Sequence, residues 1–293
     1  MKVLPGLKQV ERLEDAAWLD PLAKPLRRVA RAALRTRWLA DILHGVPFGH
    51  PLHPSVVLVP IGAWSSAAIL DALPENERAS RLLVAAGVAG AVPSALSGYA
   101  DWSNLLKKQS RVGLVHAASN FTAVLLYTAS FVQRSRGRQG SGKVLGYAGF
   151  GAVMVGGFLG GHLAYRQTAG VNHTWNVAGD VSPGWHRVGM LDELPEGRLR
   201  HLTLHEVPLV ALRTGNRVQV LADTCSHLTG PLHEGTLIPG TSATDACVQC
   251  PWHKSVFSLA TGEVVHGPAT APQPCFETRI TDGAVEVRLP AAG

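Results

Sequence analysis

The chain has 293 residues, 27 of them Lys or Arg and 21 Asp or Glu, for a formal net charge of +6 with histidine neutral. That length allows two domains, and the basic residues gather beside apolar stretches rather than along an aromatic-bearing soluble surface, which excludes nucleic acid as the partner. All 4 cysteines fall in the last third, two of them in metal-ligand spacing, which excludes a secreted disulfide framework and fits a reducing compartment.

Residues 1–44 form an N-terminal segment. Met1 to Asp20 has no uninterrupted apolar core, so no cleavable signal is expected there. Arg27-Arg28 does not open an export signal either, because Arg31, Arg35 and Arg37 interrupt the residues that follow. From Leu26 to Leu43 the arginines at 27, 31 and 35 alternate with Val29, Ala33, Leu34, Trp38 and Leu39. This pattern predicts a basic amphipathic helix in the headgroup layer, its arginines toward anionic lipid. The alternative is a solvated helix packed on a soluble domain.

Residues 45–173 carry apolar stretches at Ser55–Leu73, Leu82–Ala100, Val112–Val132 and Val144–Tyr165. Each has about 20 residues, which a helix needs to cover roughly 30 Å of hydrocarbon. An all-α bundle of four transmembrane helices is expected. Gly156, Gly157, Gly160 and Gly161 make two overlapping small-xxx-small pairs for close backbone approach in the fourth. Lysine and arginine are modestly more frequent on the side holding both termini, which places the termini in the cytoplasm.

Four antiparallel crossings bring the start of span one, the end of two, the start of three and the end of four to one membrane face. There lie His50 and His53, Asp101, His116 with Asn120 one turn on, and His162. Ionisable groups at membrane depth are costly, and histidines on facing helices bind haem or metal, so haem b or another metal is one expectation for His50, His53, His116, His162 and Asp101. The other is that these histidines are wet near the headgroups or hydrogen-bond between helices. No HExxH or ExxH pair names a metal.

The box His50 to Pro54 (HPLHP), Pro60-Ile61-Gly62, Gly98 to Trp102 (GYADW), His116 to Asn120 and Gly160-Gly161-His162-Leu163 together resemble a family of bacterial membrane domains of unknown function. The resemblance covers residues 45–173. It implies four transmembrane helices in a multi-pass protein of the bacterial inner membrane, and no established activity. His173, with Asn172, belongs to that family's closing stretch and is expected to approach the histidine cluster.

After a linker at 174–183, residues 184–293 read as a small antiparallel β domain. Strand-like runs lie at Arg200–Leu204, Val207–Arg213, Arg217–Ala222, Thr278–Ile280 and Val285–Leu289, with hairpin turns at Thr214-Gly215-Asn216 and Asp282-Gly283. Two loops carry the chemistry, Cys225-Ser226-His227 and Cys250-Pro251-Trp252-His253, separated by about 22 residues. A 2Fe-2S cluster needs four ligands, and two thiolates with two imidazoles divide so that one iron takes both cysteines and the other both histidines. Zinc accepts the same donor set.

The second loop continues through Phe257, Thr261-Gly262 and Gly267-Pro268-Ala269, and with it the stretch Trp185 to Leu289 resembles the Rieske ferredoxins. The resemblance implies a 2Fe-2S cluster on Cys225, His227, Cys250 and His253, covered by the loop containing Pro268. The additional, disulfide-forming cysteines of quinol-oxidising Rieske proteins are absent: those positions look like Gly230 and Trp252. Ser255 stands where a hydroxyl bonds a cluster sulfur, Phe257 replaces a tyrosine that adds a second bond, and Lys254 replaces a common glycine. Fewer donors imply a low to intermediate potential. Cys247 is expected to be a small buried hydrophobe, although it forms C-x-x-C with Cys250; Cys275 has no assigned role. His205, His233 and His266 have no partner pattern, so surface or hydrogen-bonded roles are expected.

The whole reads as a two-domain membrane protein, an all-α four-helix transmembrane bundle followed by an all-β Rieske-type iron-sulfur domain. Its expected work is one-electron transfer at the lipid surface, between a donor and acceptor such as quinone or cytochrome. Alternatives are an oxidoreductase whose catalytic metal sits on the bundle histidines, and a redox sensor or interaction protein. About 40 residues follow His253, too few for the catalytic domain of a Rieske oxygenase. An electron carrier or oxidoreductase component is therefore expected rather than a self-contained enzyme.

Overall fold

The computed structural model describes residues 5–241 and 245–290 and divides into two compact units, Met1–Leu39 with Pro51–Ala169, and Ala40–His50 with Gly170–Gly293. The first unit is helical: α1 (Pro5–Glu14), α2 (Asp20–Ala33), the single turn α4 (His53–Val56), α5 (Leu58–Asp71), α6 (Glu77–Trp102), α7 (Lys107–Ser135) and α8 (Gln139–Gly161). Helix α3 (Arg37–His44) carries the chain into the second unit. Four helices, His53–Asp71, Glu77–Trp102, Lys107–Ser135 and Gln139–Arg166, are long and apolar enough to cross a membrane. They run past the apolar stretches because polar residues at their ends, such as Glu77 in the first turn of α6, extend them favourably. The last ends in a π turn, His162–Arg166.

Small residues opposite large rings set the packing. Trp64 of α5 stacks on Tyr127 of α7 with ring centroids 4.2 Å apart. Gly87 of α6 lies against the indole and Gly149 of α8 against the phenol ring, so a side chain at either glycine would occupy ring space. Of the four glycines late in α8, Gly156 receives Asn120 and Gly160 receives His116, whereas a Cβ at Gly157 would meet nothing within 4 Å. One small-xxx-small pair is used, on the face turned to α7.

At one end of this bundle Arg134 and Asp71 form a buried bidentate pair, with Arg134 Nη1 donating to Asp71 Oδ1 at 2.8 Å and to Ser80 Oγ at 3.1 Å. Ser80 Oγ donates to Asp71 Oδ1 at 2.7 Å, and Ser130 Oγ accepts from Arg134 Nε at 3.0 Å. Arg134 is thus an interior residue. Two arginines of the N-terminal segment also find protein partners. Arg27 Nη2 donates to the carbonyls of Ser103 (3.0 Å) and Leu105 (2.7 Å), and Arg31 Nη2 to Ser103 (2.9 Å). The carbonyls at the end of α6 have no helical partners and carry the negative end of its dipole, so guanidinium groups satisfy both needs.

The second unit holds two antiparallel sheets. The larger has the order β1-β10-β9-β4-β3-β2, from β1 (His186–Met190), β2 (Leu199–Leu204), β3 (Val207–Thr214), β4 (Arg217–Ala222), β9 (Cys275–Thr281) and β10 (Ala284–Arg288). The smaller has β5 (Thr236–Ile238), β6 (Cys247–Gln249), β7 (Val256–Ser258) and β8 (Val264–His266) in sequence order. Successive residues of β3 serve two cores: Val207, Leu209 and Ala211 pack with Val285 and Val287, while Val210 and Leu212 pack with Val248 and Phe257 of the small sheet and with Leu259 just after β7. That is why β3 reads as an almost unbroken apolar run instead of an alternation. Both expected hairpins form. Asp282 and Gly283 each take positive φ, 51° and 79°, as the turn between β9 and β10 requires.

Candidate metal centre

Three loops converge in the second unit. The first leaves β4, the second joins β6 to β7, and the third follows β8. In the first, Thr224 pairs with Pro231 across the base, Cys225 N donates to Gly230 O at 2.9 Å and Thr229 N to Cys225 O at 2.9 Å. In the second, Cys250 N donates to Ser255 O at 2.8 Å and Lys254 N to Cys250 O at 3.2 Å. Each loop therefore folds back on its own cysteine and directs backbone N–H groups at its sulfur: His227 and Leu228 toward Cys225, Trp252 and His253 toward Cys250.

These loops bring Cys225, His227, Cys250 and His253 together. The two buried thiols hydrogen-bond one another, which holds Cys250 below and Cys225 above the ordinary thiol range. The imidazoles stand edge to face, 5.1 Å between centroids. Burial, then the neighbouring His253, His44 and His173, push His227 down to about 3, so its ring is neutral near pH 7. Its Nδ1 is buried with no hydrogen-bond partner. Two adjoining thiols under N–H groups and an orphaned buried imidazole nitrogen fit a 2Fe-2S cluster with mixed ligation. Gly230 and Trp252, where the resemblance places additional cysteines, face each other: a Cβ on Gly230 would lie 3.1 Å from Trp252 Cγ and 2.8 Å from Cys250 Sγ.

Buried Ser255 joins the second and third loops, its hydroxyl oxygen accepting from Ala269 N at 2.9 Å. That contact leaves the hydroxyl proton free to point elsewhere. The Gly267-Pro268 peptide is cis. Phe257 is fully buried in the core below. Lys254 adopts φ +67°, a left-handed conformation that explains the glycine common at its position. Cys247 is half-buried in β6 with Sγ 3.6 Å from Asp245 O, and Cys275 Sγ lies 3.4 Å from Ala260 O.

Several supporting residues carry no signature in the sequence. Gln273 is buried and ties the first loop to the third: Oε1 accepts from Ser226 N at 3.0 Å and Nε2 donates to Ala222 O and Thr224 O at 3.1 and 2.9 Å. Ser226 Oγ donates to Ala271 O at 2.8 Å. From the segment Ala40–His50, Asp41 grips the third loop: Oδ2 lies 2.8 Å from His266 Nδ1, and Oδ1 accepts from Gly267 N at 2.9 Å. Val46 and His44 pack on Gly267. His173 N donates to Ser226 O at 3.0 Å, so this residue meets the first loop.

Two of the bundle histidines come together. His53 and His116 stand edge to face at 6.3 Å, with Nδ1 of His53 2.9 Å from Ser94 O and Nδ1 of His116 2.8 Å from Gly156 O. His162 Nε2 is 2.8 Å from Glu14 Oε1. His50 lies on the segment belonging to the second unit. Among the described residues of the helical unit, His53, Asp101, His116 and His162 supply no group of three donors within 4.8 Å.

Family comparison agrees with this geometry. Residues 184–277 match the Rieske [2Fe-2S] domain, and residues 49–173 match the family described as Predicted membrane protein (DUF2231). The anthranilate 1,2-dioxygenase ferredoxin subunit of Burkholderia cepacia is 32% identical over 105 residues, 92% of its length and 36% of this chain. The ferredoxin CarAc of Metapseudomonas resinovorans is 30% identical over 104 residues, 92% of its length and 35% of this chain. Among solved structures, the ferredoxin of carbazole 1,9a-dioxygenase from Nocardioides aromaticivorans IC177 aligns at 23% identity with a TM-score of 0.33, covering 37% of this chain and all of that one. The chain belongs to the Rieske 2Fe-2S ferredoxin family, with a helical domain of the DUF2231 membrane family preceding the Rieske domain.

Proposed function

We propose that the chain is a multi-pass protein of the bacterial inner membrane that transfers single electrons through a Rieske cluster held by Cys225, His227, Cys250 and His253. The observation that carries this reading is the buried, unpartnered Nδ1 of His227 beside the adjoining Cys225 and Cys250 thiols. When bound, the cluster supplies a one-electron couple, with family values of about −150 to +300 mV. The chain's own part is to aim N–H groups at both sulfurs, keep His227 neutral, cover the site with the Pro268 loop, and hold the Ser255 hydroxyl with its proton available to a cluster that would be bound there. With Phe257 in place of a hydroxyl-bearing ring, the potential falls in the low to intermediate part of that range.

The relatives are named as ferredoxin subunits of dioxygenases, and by that likeness the partners are an electron-donating reductase and an accepting oxidoreductase. Bias in basic residues supports a cytoplasmic Rieske domain, testable with topology reporters at the C-terminus. Low-temperature EPR of the dithionite-reduced protein tests the cluster. A rhombic signal with mixed-ligand g values is expected; an all-cysteine signal, or stoichiometric zinc with no iron, sinks the reading.

A second reading places haem b or another metal between His53 and His116, serving as electron acceptor, quinone-side relay or catalytic centre. It is supported by the two Nδ1 atoms facing backbone carbonyls, which leaves Nε2 of each ring as the ligand atom; that of His116 now lies 3.2 Å from Asn120 Nδ2, which must yield to a metal. A reduced-minus-oxidised spectrum with sharp haem bands that vanish in His53→Ala bears it out. Only broad iron-sulfur bleaching removes the haem form.

A further inference from the structure

Away from the four cluster residues, His201, Asp223 and His233 come together from three elements: His201 from β2, Asp223 from the residue after β4, and His233 from the single 3-10 turn Leu232–Glu234. Their donor atoms all lie within 4.8 Å of one another. Asp223 Oδ2 is 3.3 Å from His201 Nδ1 and 2.5 Å from His233 Nδ1, and the two rings are 4.7 Å apart between centroids. The carboxylate is nearly inaccessible, 4% exposed, whereas the imidazoles are 43% and 30% exposed. A buried carboxylate thus offers one oxygen to two partly exposed imidazoles.

We propose that these three side chains bind one divalent transition-metal ion of the borderline class, with zinc(II) the representative. Two imidazoles and a carboxylate are a donor set suited to such ions. Ligands about 2.0–2.1 Å from a tetrahedral ion lie roughly 3.3 Å from each other. The His201–Asp223 separation already has this value, and His233, half-exposed, has room to draw back to it. The other carboxylate oxygen is fixed, since Oδ1 accepts from His233 N at 2.6 Å, and His201 Nε2 lies 3.4 Å from Thr203 Oγ1. Such outer contacts orient ligands before the ion arrives. Binding releases to solvent any proton held between imidazole and carboxylate, and the ion takes its place. With three protein ligands, the remaining position is open to water.

The site has a structural reach. Asp223 and His233 flank the first cluster loop at its two ends, just outside the Thr224–Pro231 pairing. An ion there ties the loop's base to β2 without touching Cys225 or His227.

The test uses the full-length, iron-loaded protein in detergent, dialysed against chelator and then equilibrated with zinc sulfate. Iron and zinc per chain are counted together by mass spectrometry. Wild type is expected to gain one zinc with iron unchanged, and to melt at higher temperature in zinc. The His201→Ala, His233→Ala double variant, whose retained iron shows it is folded, is expected to gain none and show no thermal shift. His201→Ala alone, on an exposed position, weakens binding at least about tenfold. Equal zinc in wild type and double variant, no zinc in either, or zinc gained only as iron is lost each overturns the proposal.

Discussion

The Arg134 network in the helical unit and the cysteine–histidine set in the β unit are both buried and polar, yet only one is complete in itself. Arg134, Asp71, Ser80 and Ser130 satisfy each other with donors matched to acceptors. Around Cys225 and Cys250 the backbone N–H groups converge on sulfur while His227 Nδ1 stays buried without a partner. A closed network holds helices in register; a set with a spare buried nitrogen is built for a ligand. Burial of polar groups is therefore no sign of function until their partners are counted.

Substitutions sharpen this contrast. Cys250→Ala should abolish the cluster outright, seen as loss of iron and of the reduced EPR signal, while detergent-solubilised helices keep their thermal transition. Arg134→Ala should do the opposite, destabilising the helical unit by roughly 3–5 kcal/mol because Asp71 is left charged and unpaired. Arg134→Met with Asp71→Leu should recover most of that loss, and a double variant no more stable than the single one would show that the network is more than a charge pair. Ser255→Ala should lower the cluster midpoint by roughly 45–90 mV, from a differential hydrogen-bond strength of about 1–2 kcal/mol. An unchanged redox titration would remove Ser255 from the tuning set.

Smaller effects test the scaffold. Lys254→Gly should stabilise by about 1 kcal/mol in thermal melts, by relieving the positive φ. Asp20 is held down to about 2 by hydrogen bonds from Arg111. Its folded pKa is below the unfolded value, so its contribution is present above about pH 4 and is lost as pH falls through 2. Asp20→Asn should lower stability at pH 7, where the contribution is fully present, and flatten the acid limb of the stability curve so that the two proteins converge below about pH 2.

The readable parts of the sequence were those with local periodicity or fixed spacing. Four apolar stretches gave the candidate membrane helices, and two short motifs gave the cysteine and histidine loops. Long-range partners left no such trace. Nothing near Arg134 distinguishes it from Arg136 or Arg138, because its partner lies 63 residues earlier. The arginine spacing of α2 suits lipid phosphates and helix-end carbonyls equally well. Strands β5 to β8 are only three residues each, too short for alternation to register. His201, Asp223 and His233 sit on separate elements and meet only when the sheet folds, so His233 alone looked unpartnered.

The grip of Asp41 on His266 and Gly267 has a consequence for biosynthesis. The two partners are separated by 225 residues, with all four candidate membrane helices between them. At about 5–20 residues per second, Asp41 waits roughly 10–45 s on the ribosome-bound chain before the loop it holds exists. A fragment beginning at Gly170 would lack Asp41, His44 and Val46, and would carry its third loop uncovered on that side. The β unit is thus stitched from segments made before and after the four candidate membrane helices.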